Sequence, residues 1–433
     1  MTELATDDAT VRLWRIPAWR YAFPASVVSR LGDVVFDLTV VLWISTDLAR
    51  GTSWAPAAVS GVMLAAALPI LVVGPLAGAF VDRHDAHRTQ VVSNLVQAAA
   101  IGSLLPLAAY DGLPTVLRLV WIYAAIAVTN GAGQFFLQAR LLMIARTIPD
   151  RLRTSAFSVQ GAANNVVLIV GPPLAAPLLF TAGVGWALAI NAVSFLVSSV
   201  LLGLVTWDSA PSTEATGQSF WASLGEGARV LLGNPLLVSL TAAISVASLG
   251  TGAVNVLEVF FVTDVLHQRA ALLGFLNTAF AVGMIAGMAA APWLERRLGA
   301  PRIFVSGLLL AGLVMVAYSR TTSLPGALIL YVVLAIPIAA LNTTFMPLFM
   351  RTVPEHLLGR TSVALQVFPT IADLMAITAA GWLVSTALRG LDVHALGTTF
   401  GPVDTVFAVA GLLFVVTALA VTRPVMRAAQ SSE

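Results

Sequence analysis

Unbroken apolar runs of about twenty residues recur along nearly the whole chain of 433 residues, and each run is long enough to cross a bilayer. Only 10% of the residues are charged, whereas a soluble domain carries about 25%. The pattern therefore predicts an all-α polytopic membrane protein, and it argues against a water-solvated globule and against nucleic-acid binding.

The apolar runs predict twelve membrane spans, arranged as two six-helix bundles. They cover residues 24–46, 56–81, 91–110, 116–139, 157–181 and 186–206, then 236–262, 272–294, 303–319, 327–349, 361–385 and 405–422. The predicted domains are a cytoplasmic leader (1–23), the first bundle (24–206), a central cytoplasmic loop (207–235), the second bundle (236–422) and a cytoplasmic tail (423–433).

All 23 basic residues are arginine, and the chain contains no lysine and no cysteine. A P-loop needs Gly-Lys-Ser/Thr, so we expect no ATP-driven engine. Without cysteine there is no thiolate metal site or thiol catalysis. We predict neither a metal site nor a cofactor.

The arginines also predict the orientation of the chain in the membrane. Seventeen lie in the leader, the tail and the loops on one side, five lie in the loops on the other side, and Arg30 lies within span 1. By the positive-inside rule, we predict that both termini are cytoplasmic in a cell (inner) membrane.

The two predicted bundles repeat each other in sequence. Arg146-Thr-Ile-Pro-Asp150 precedes span 5, and Arg351-Thr-Val-Pro-Glu355 precedes span 11. Gly74 leads to Asp82-Arg83 after span 2 at the same spacing by which Gly287 leads to Glu295-Arg296 after span 8. Matched pairs at equivalent loops indicate a duplicated unit, which is typical of secondary transporters.

The segment from Gly74 to Arg88 resembles the loop signature of the major facilitator superfamily. The residues that match are Gly78, Asp82, Arg83 and Arg88, whereas Asp85 replaces the second glycine and His87-Arg88 replaces a basic pair. The resemblance implies the major facilitator fold, with two bundles that rock about a central site to give alternating access.

The loop charges of both halves are predicted to form a cytoplasmic gate. Asp82 is expected near the N-terminus of span 11 and Glu295 near that of span 5, where the helix dipole is positive. Small residues such as Gly78 permit close helix approach, and Arg83, Arg88 and Arg296 complete the set. The alternative is that these charges only set the topology.

Span 5 contains Val167-Leu-Ile-Val-Gly171-Pro172-Pro173-Leu-Ala175-Ala176, which resembles the antiporter signature of drug exporters at Gly171 and Pro172. Phe135-Phe-Leu-Gln-Ala139-Arg140, with Ser29-Arg-Leu-Gly32-Asp33, is similar to the macrolide-efflux-like and enterobactin-exporter-like branch. The resemblance implies export. The alternative is a packing kink at Pro172 without directional meaning.

Ionisable residues inside the predicted spans are the candidate coupling site. Arg30, Asp33 and Asp37 share one face of span 1, because steps of three and four residues return to similar helix angles, and Asp373 lies in mid-span 11. Buried charge is costly in a membrane, so these residues should face a cavity or a partner. The alternative is a static Arg30–Asp33 ion pair.

Several polar residues of spans 4, 5 and 10 are predicted to line the same cavity: Asn130, Gln134, Asn164, Asn165 and Asn342. Interhelical hydrogen bonding is the alternative for each of them. Phe135 is a candidate contact for apolar cargo, and Glu258 is predicted to be a rim charge or an external gate.

The sequence thus predicts a monomeric secondary transporter, not an enzyme, in the lipid bilayer. We expect it to export a small hydrophobic or cationic molecule (a drug, antibiotic or siderophore-like compound) in exchange for protons. An importer, symporter or uniporter is the alternative in the same class. An intramembrane enzyme is disfavoured because no histidine lies in a span, and a receptor is disfavoured because no sizeable soluble domain is present.

Overall fold

Helices dominate the computed structural model, which describes residues 13–110, 112–205, 207, 220–353, 358–389, 393–395 and 398–430. In the first half, α1 ends in a π-helical turn (Ile44–Leu48) and a short segment (Leu105–Ala109) follows α3. The helices are α1 Pro17–Trp43, α2 Ala55–Arg83, α3 Ala86–Gly102, α4 Thr115–Thr147, α5 Asp150–Ala182 and α6 Val184–Gly203.

The second half repeats this order after α7, Phe220–Gly233, which lies in the predicted central loop. Here α8 also ends in a π-helical turn (Phe261–Val265), and a 3₁₀ turn (Ala270–Leu272) precedes α9. The helices are α8 Pro235–Phe260, α9 Leu273–Leu298, α10 Ala300–Ser319, α11 Leu324–Thr352, α12 Leu358–Ser385 and α13 Pro402–Gln430.

Polar caps and glycine mark where these helices begin. Asp85 caps α3 by accepting a hydrogen bond of 3.0 Å from the backbone N–H of Arg88, and Asn234 caps α8 by accepting one of 2.9 Å from that of Leu236. Both satisfy backbone donors that a helix start leaves unpaired. Gly299 separates α9 from α10 at φ = 78°, a conformation that glycine adopts without steric cost.

Helix packing follows the same pattern in both halves. In the first half, α1 packs on α5 and α6, while α3 packs on α4 and α6. In the second half, α8 packs on α12 and α13, while α10 packs on α11 and α13. The duplication inferred from the loops therefore extends to the tertiary contacts.

Ten of the described helices are long and apolar enough to cross a membrane, which confirms an all-α, multi-pass chain. The ten do not include α1 or α5. Every 18-residue stretch of α1 contains at least three ionisable residues. The count of twelve spans stays a prediction.

Besides α7, two further segments predicted to lie outside the bundles are helical. α1 begins at Pro17, inside the predicted leader, and Trp19 is buried in a cluster with Met143 and Ile144 of α4. α13 continues to Gln430, through most of the predicted tail.

The chain forms two compact units and one small ribbon. One unit comprises residues 1–48 and 61–217, and the other comprises residues 49–60 and 218–433. The N-terminal turns of α2 therefore group with the second unit, where Ser60 Oγ donates a hydrogen bond of 2.7 Å to the carbonyl oxygen of Ile377 in α12.

Between α12 and α13, β1 (Val393–Ala395) pairs antiparallel with β2 (Thr398–Phe400), which the sequence did not predict.

Candidate functional site

The three ionisable residues of α1 lie on one face of the helix. Arg30 and Asp37 are exposed within the first unit, and Asp33 is half-buried. At a rise of about 1.5 Å per residue, the two carboxylates are about 6 Å apart along the helix axis. We call Arg30, Asp33 and Asp37 the charged face of α1.

Arg30 interacts electrostatically with Asp33 and with Asp37 but is not in close contact with either carboxylate. Among the residues that the structure describes, no salt bridge of 4.0 Å or less joins Arg30 to Asp33 or to Asp37. One arginine also balances only one of the two carboxylates. The charged face is therefore open to a proton or a cationic ligand.

Two glycines set the position of α1 against its neighbours. A Cβ atom added at Gly32 would collide with Ser194 Oγ and lie 2.5 Å from Asn191 Oδ1, both on α6. A Cβ added at Gly171 of α5 would lie 2.6 Å from Val34 Cγ1. Gly171, expected from the antiporter-like motif, is thus a close contact between α5 and the helix that carries the charged face. α5 continues through Pro172 as one helix, and the predicted kink there stays a prediction.

A polar network joins α1 to α5 one to two turns before the charged face. Ser26 Oγ donates to Gln160 Oε1 at 3.2 Å, and Gln160 Nε2 donates to Asn164 Oδ1 at 3.2 Å. Asn164 therefore lies in an interhelical network, the alternative given for it above. Sequence analysis missed Gln160, although its spacing of four residues from Asn164 places both on one helix face.

Asp373 does not lie on an open face but at the contact between α12 and α8. A Cβ added at Gly252 of α8 would lie 2.7 Å from Asp373 Oδ1 and 2.8 Å from its backbone carbonyl oxygen. The half-buried carboxylate therefore rests against bare helix backbone. Both residues belong to the second unit, whereas the charged face belongs to the first.

The remaining polar candidates lie in different surroundings. Asn342 lines a cavity of about 120 Å³ in the second unit, together with Ser248 and Thr251 of α8. Asn130 donates to the carbonyl oxygen of Ile126 at 3.0 Å, within its own helix. Gln134 packs against α2: a Cβ atom added at Gly74 of α2 would lie 3.4 Å from Gln134 Oε1. Asn165 is half-buried in α5.

An open apolar cavity of about 620 Å³ lies among α2, α3 and α4 in the first unit, and exposed side chains such as Val92 and Val128 form part of its wall. Phe135 and Phe80 line it, and His84 and Arg88 lie at the end where α2 and α3 meet. Sites for drug-sized molecules have volumes of about 300–1,000 Å³ and are mostly apolar. The cavity is therefore large enough for a small hydrophobic molecule.

In the signature loop, the structure describes the side chains of the basic residues Arg83 and Arg88. Arg88 forms a salt bridge of 3.7 Å with Asp85, the residue that replaces the signature glycine. Arg83 is exposed, whereas the side chain of Asp82 lies outside the described part of the structure. A Cβ at Gly78 would meet no described atom within 4 Å, and the close helix approach expected there stays a prediction.

The matching loop of the second half ends α9. Glu295 is half-buried and Arg296 is exposed. Close helix packing occurs about two turns earlier in the same helix, at Gly287, which is the counterpart of Gly74. A Cβ added at Gly287 would collide with the backbone carbonyl of Ile336 in α11. The gate contacts predicted for Asp82 and Glu295 stay predictions.

Comparisons with known proteins agree with this architecture. The chain is 24% identical over 335 residues to the multidrug efflux pump Tap of Mycolicibacterium fortuitum, covering 75% of this chain and 80% of Tap. It is 22% identical over 275 residues to macrolide efflux protein A of Streptococcus pyogenes, covering 62% and 65% of the two chains. These relatives confirm the similarity to drug-efflux carriers inferred from the motifs.

A solved structure shares the fold. The crystal structure of a bacterial homologue of the iron transporter ferroportin, in its inward-facing state, matches with a TM-score of 0.70 and 16% identity. The match covers 96% of this chain and 98% of that chain. The family model described as Major Facilitator Superfamily matches residues 22–377. The chain therefore belongs to the Major Facilitator Superfamily, as a multi-pass membrane transporter and not an enzyme.

Proposed function

We propose that this transporter exports a small hydrophobic or cationic molecule by alternating access, in exchange for protons. The observation that carries the proposal is the charged face of α1, where two carboxylates and one arginine lie together and no salt bridge of 4.0 Å or less joins them in the described part of the chain. Ionisable residues in a membrane helix mark ion or substrate paths. A static structural role would instead call for a closed pair.

In the proposed cycle, a proton from outside binds Asp33 or Asp37. Protonation leaves the charged face without its surplus negative charge, so a cationic cargo is released outward. Release of the proton to the cytoplasm restores that charge and resets the carrier. Arg30 compensates the second carboxylate throughout the cycle, and Asp373 is a secondary candidate for the same role.

The class of cargo is supported by two further observations. The cavity lined by Phe80 and Phe135 is apolar and large enough for a drug-sized molecule. The relatives Tap and macrolide efflux protein A are named as efflux proteins. An antibiotic, a dye or a siderophore-like compound fits these features.

The direction of transport requires an orientation, which we take from the arginines. We propose that both termini face the cytoplasm of a monomeric inner-membrane carrier. Asp82 with Arg83, and Glu295 with Arg296, would then close the cytoplasmic side when the carrier opens outward.

Uptake of a panel of compounds tests the proposal. Efflux-deficient bacteria would express the wild type, Asp33→Asn, Asp37→Asn or the control Asp264→Asn, which removes an exposed carboxylate in the π-helical turn after α8. The panel would contain a cationic dye, a macrolide, a tetracycline and a siderophore, each with and without an uncoupler.

We expect the wild type and Asp264→Asn to lower accumulation of at least one compound, and we expect the uncoupler and one span-1 variant to abolish this effect. Higher accumulation on expression would replace the exporter by an importer. Export that survives the uncoupler and both variants would refute proton coupling at the charged face.

A further inference from the structure

Glu258 is a buried carboxyl group that the proposed cycle does not use. It lies in α8, three residues before the π-helical turn that begins at Phe261. Only 5% of its surface is exposed. The prediction of a rim charge is therefore wrong, because the helix turns this side chain into the second unit.

The surroundings of Glu258 are aromatic. Its carboxyl group interacts with the phenols of Tyr331 in α11 and Tyr318 in α10. The two phenol rings stack with their centroids 5.0 Å apart, and Phe261 and Phe407 pack on Tyr318 at 4.7 and 6.0 Å. We call Glu258, Tyr318 and Tyr331 the carboxyl–phenol cluster.

The polar atoms of this cluster are only partly satisfied. Glu258 Oε1 and the Tyr318 hydroxyl are buried and have no hydrogen-bond partner among the described residues. An ionised carboxylate in such a place costs much free energy unless a cation pairs with it. A protonated carboxyl group is neutral and can also donate a hydrogen bond.

The charged groups on the neighbouring elements do not supply that cation. Arg320, at the end of α10, pairs with Asp404 at the start of α13 at 3.8 Å. Asp264 is exposed, and its carboxylate accepts a hydrogen bond of 2.7 Å from Thr263. Tyr318 and Tyr331 are thus the titratable groups that face Glu258 directly.

Comparison of the halves shows that the fold does not need a carboxyl group here. The π-helical turn of the first half begins at Ile44, and the residue three positions before it is Val41, which is buried. Asp47 and Asp264 occupy the same position within the two turns. An apolar side chain therefore serves the packing at this point of the repeat, so the carboxyl group of Glu258 has another role.

We propose that the carboxyl–phenol cluster is a second proton-binding site of the transporter, located in the second unit and separate from the charged face of α1. The bound proton resides on Glu258, and Tyr331 is the hydrogen-bond partner of the carboxyl group. Loss of the proton leaves a buried carboxylate with no cation beside it among the described residues, which favours opening of the end of α8 towards water. The adjacent π-helical turn, which interrupts the regular hydrogen-bond ladder, is the place where the helix can yield.

Infrared difference spectroscopy of the purified full-length transporter in lipid nanodiscs tests this site directly. Spectra in mildly acidic and in alkaline buffer differ by the C=O stretch of carboxyl groups that release a proton, whereas exposed carboxylates are ionised in both buffers. The variants are Glu258→Gln, Tyr331→Phe and the matched control Asp264→Asn. Each is also made in an Asp33→Asn/Asp37→Asn/Asp373→Asn background to remove signals from the other candidate carboxyl groups.

We expect one C=O band to persist in the Asp33→Asn/Asp37→Asn/Asp373→Asn background and in the control made in that background, and to disappear with Glu258→Gln. In Tyr331→Phe the band should remain but move to higher frequency, because the carboxyl group loses a hydrogen bond. A difference spectrum that Glu258→Gln leaves unchanged would overturn the proposal. If that variant does not fold, an unshifted band in Tyr331→Phe would do so. The readout is proton binding, so the result is independent of whether export is found.

Discussion

The contact between α1 and α5 predicts a measurable steric coupling at Gly171. An alanine there would place its Cβ 2.6 Å from Val34 Cγ1 and 3.1 Å from Val34 Cβ. Non-bonded carbon atoms prefer about 3.5–4.0 Å, so the two helices would have to separate by about 1 Å. The valine side chain cannot swing aside, because branching at Cβ restricts its rotamers. Overpacking of this kind costs about 1–3 kcal/mol.

A second glycine of the same helix provides the control. A Cβ at Gly161 would meet no described atom within 4 Å. Gly161→Ala therefore reports only the gain in helix propensity, about 0.5–1 kcal/mol, which Gly171→Ala shares. We expect the free energy of unfolding of Gly171→Ala to lie about 1–3 kcal/mol below that of Gly161→Ala.

Truncation of the partner side chain should relieve the collision. Val34→Ala removes Cγ1, so the Gly171→Ala/Val34→Ala double variant should be more stable than the sum of the single effects predicts. The free energies would be measured by reversible unfolding in mixed micelles, with circular dichroism as the signal. A favourable coupling of at least about 0.5 kcal/mol is expected, and additivity within about 0.3 kcal/mol would refute the contact.

Three further substitutions test other parts of the structure. Gly252→Ala would bring a Cβ within 2.7 Å of Asp373 Oδ1 and 2.8 Å of its carbonyl oxygen. It should lower the melting temperature, and Asp373→Ala should restore it only in part because the carbonyl remains. Gln160→Leu removes both hydrogen bonds of its network and should cost about 1 kcal/mol in the same unfolding assay, since such bonds average about 0.6 kcal/mol. Asn342→Leu replaces the amide that lines the 120 Å³ cavity by an apolar side chain of nearly the same size, and it should change the cargo profile in the uptake panel at unchanged melting temperature. An identical profile would argue against a cargo contact there.

The architecture was predictable because hydrophobic length and duplicated loops are local properties of the sequence. Apolar runs predicted the ten described helices that are long and apolar enough to cross a membrane, and the matched motifs predicted the repeat that the helix packing shows. The same local rule placed Arg30, Asp33 and Asp37 on one helix face, which is where the structure has them. Helix ends were less predictable: the apolar pattern stops at about residue 24, yet α1 begins at Pro17 because Trp19 packs on α4.

The partners of polar residues were not predictable from the sequence, because hydropathy does not tell which face of a helix meets a neighbour. Asp373 rests on Gly252, which is more than one hundred residues away in the chain. Glu258 lies close to a helix end, a position typical of a rim charge, but its side chain points into an aromatic cluster. Both outcomes depend on tertiary contacts between helices of the second unit.

Comparison of the halves separates what the fold requires from what the function adds. Both units use the same helix pairs, with glycines at the closest approaches, such as Gly32 and Gly171 in the first and Gly252 in the second. The ionisable groups do not follow the repeat: the charged face is on α1, whereas Glu258 stands where the first half has Val41. Because the packing pattern accommodates either Val41 or Glu258 at that point, we expect these charges to contribute little to folding. They are therefore the residues at which substitutions should alter transport more than stability.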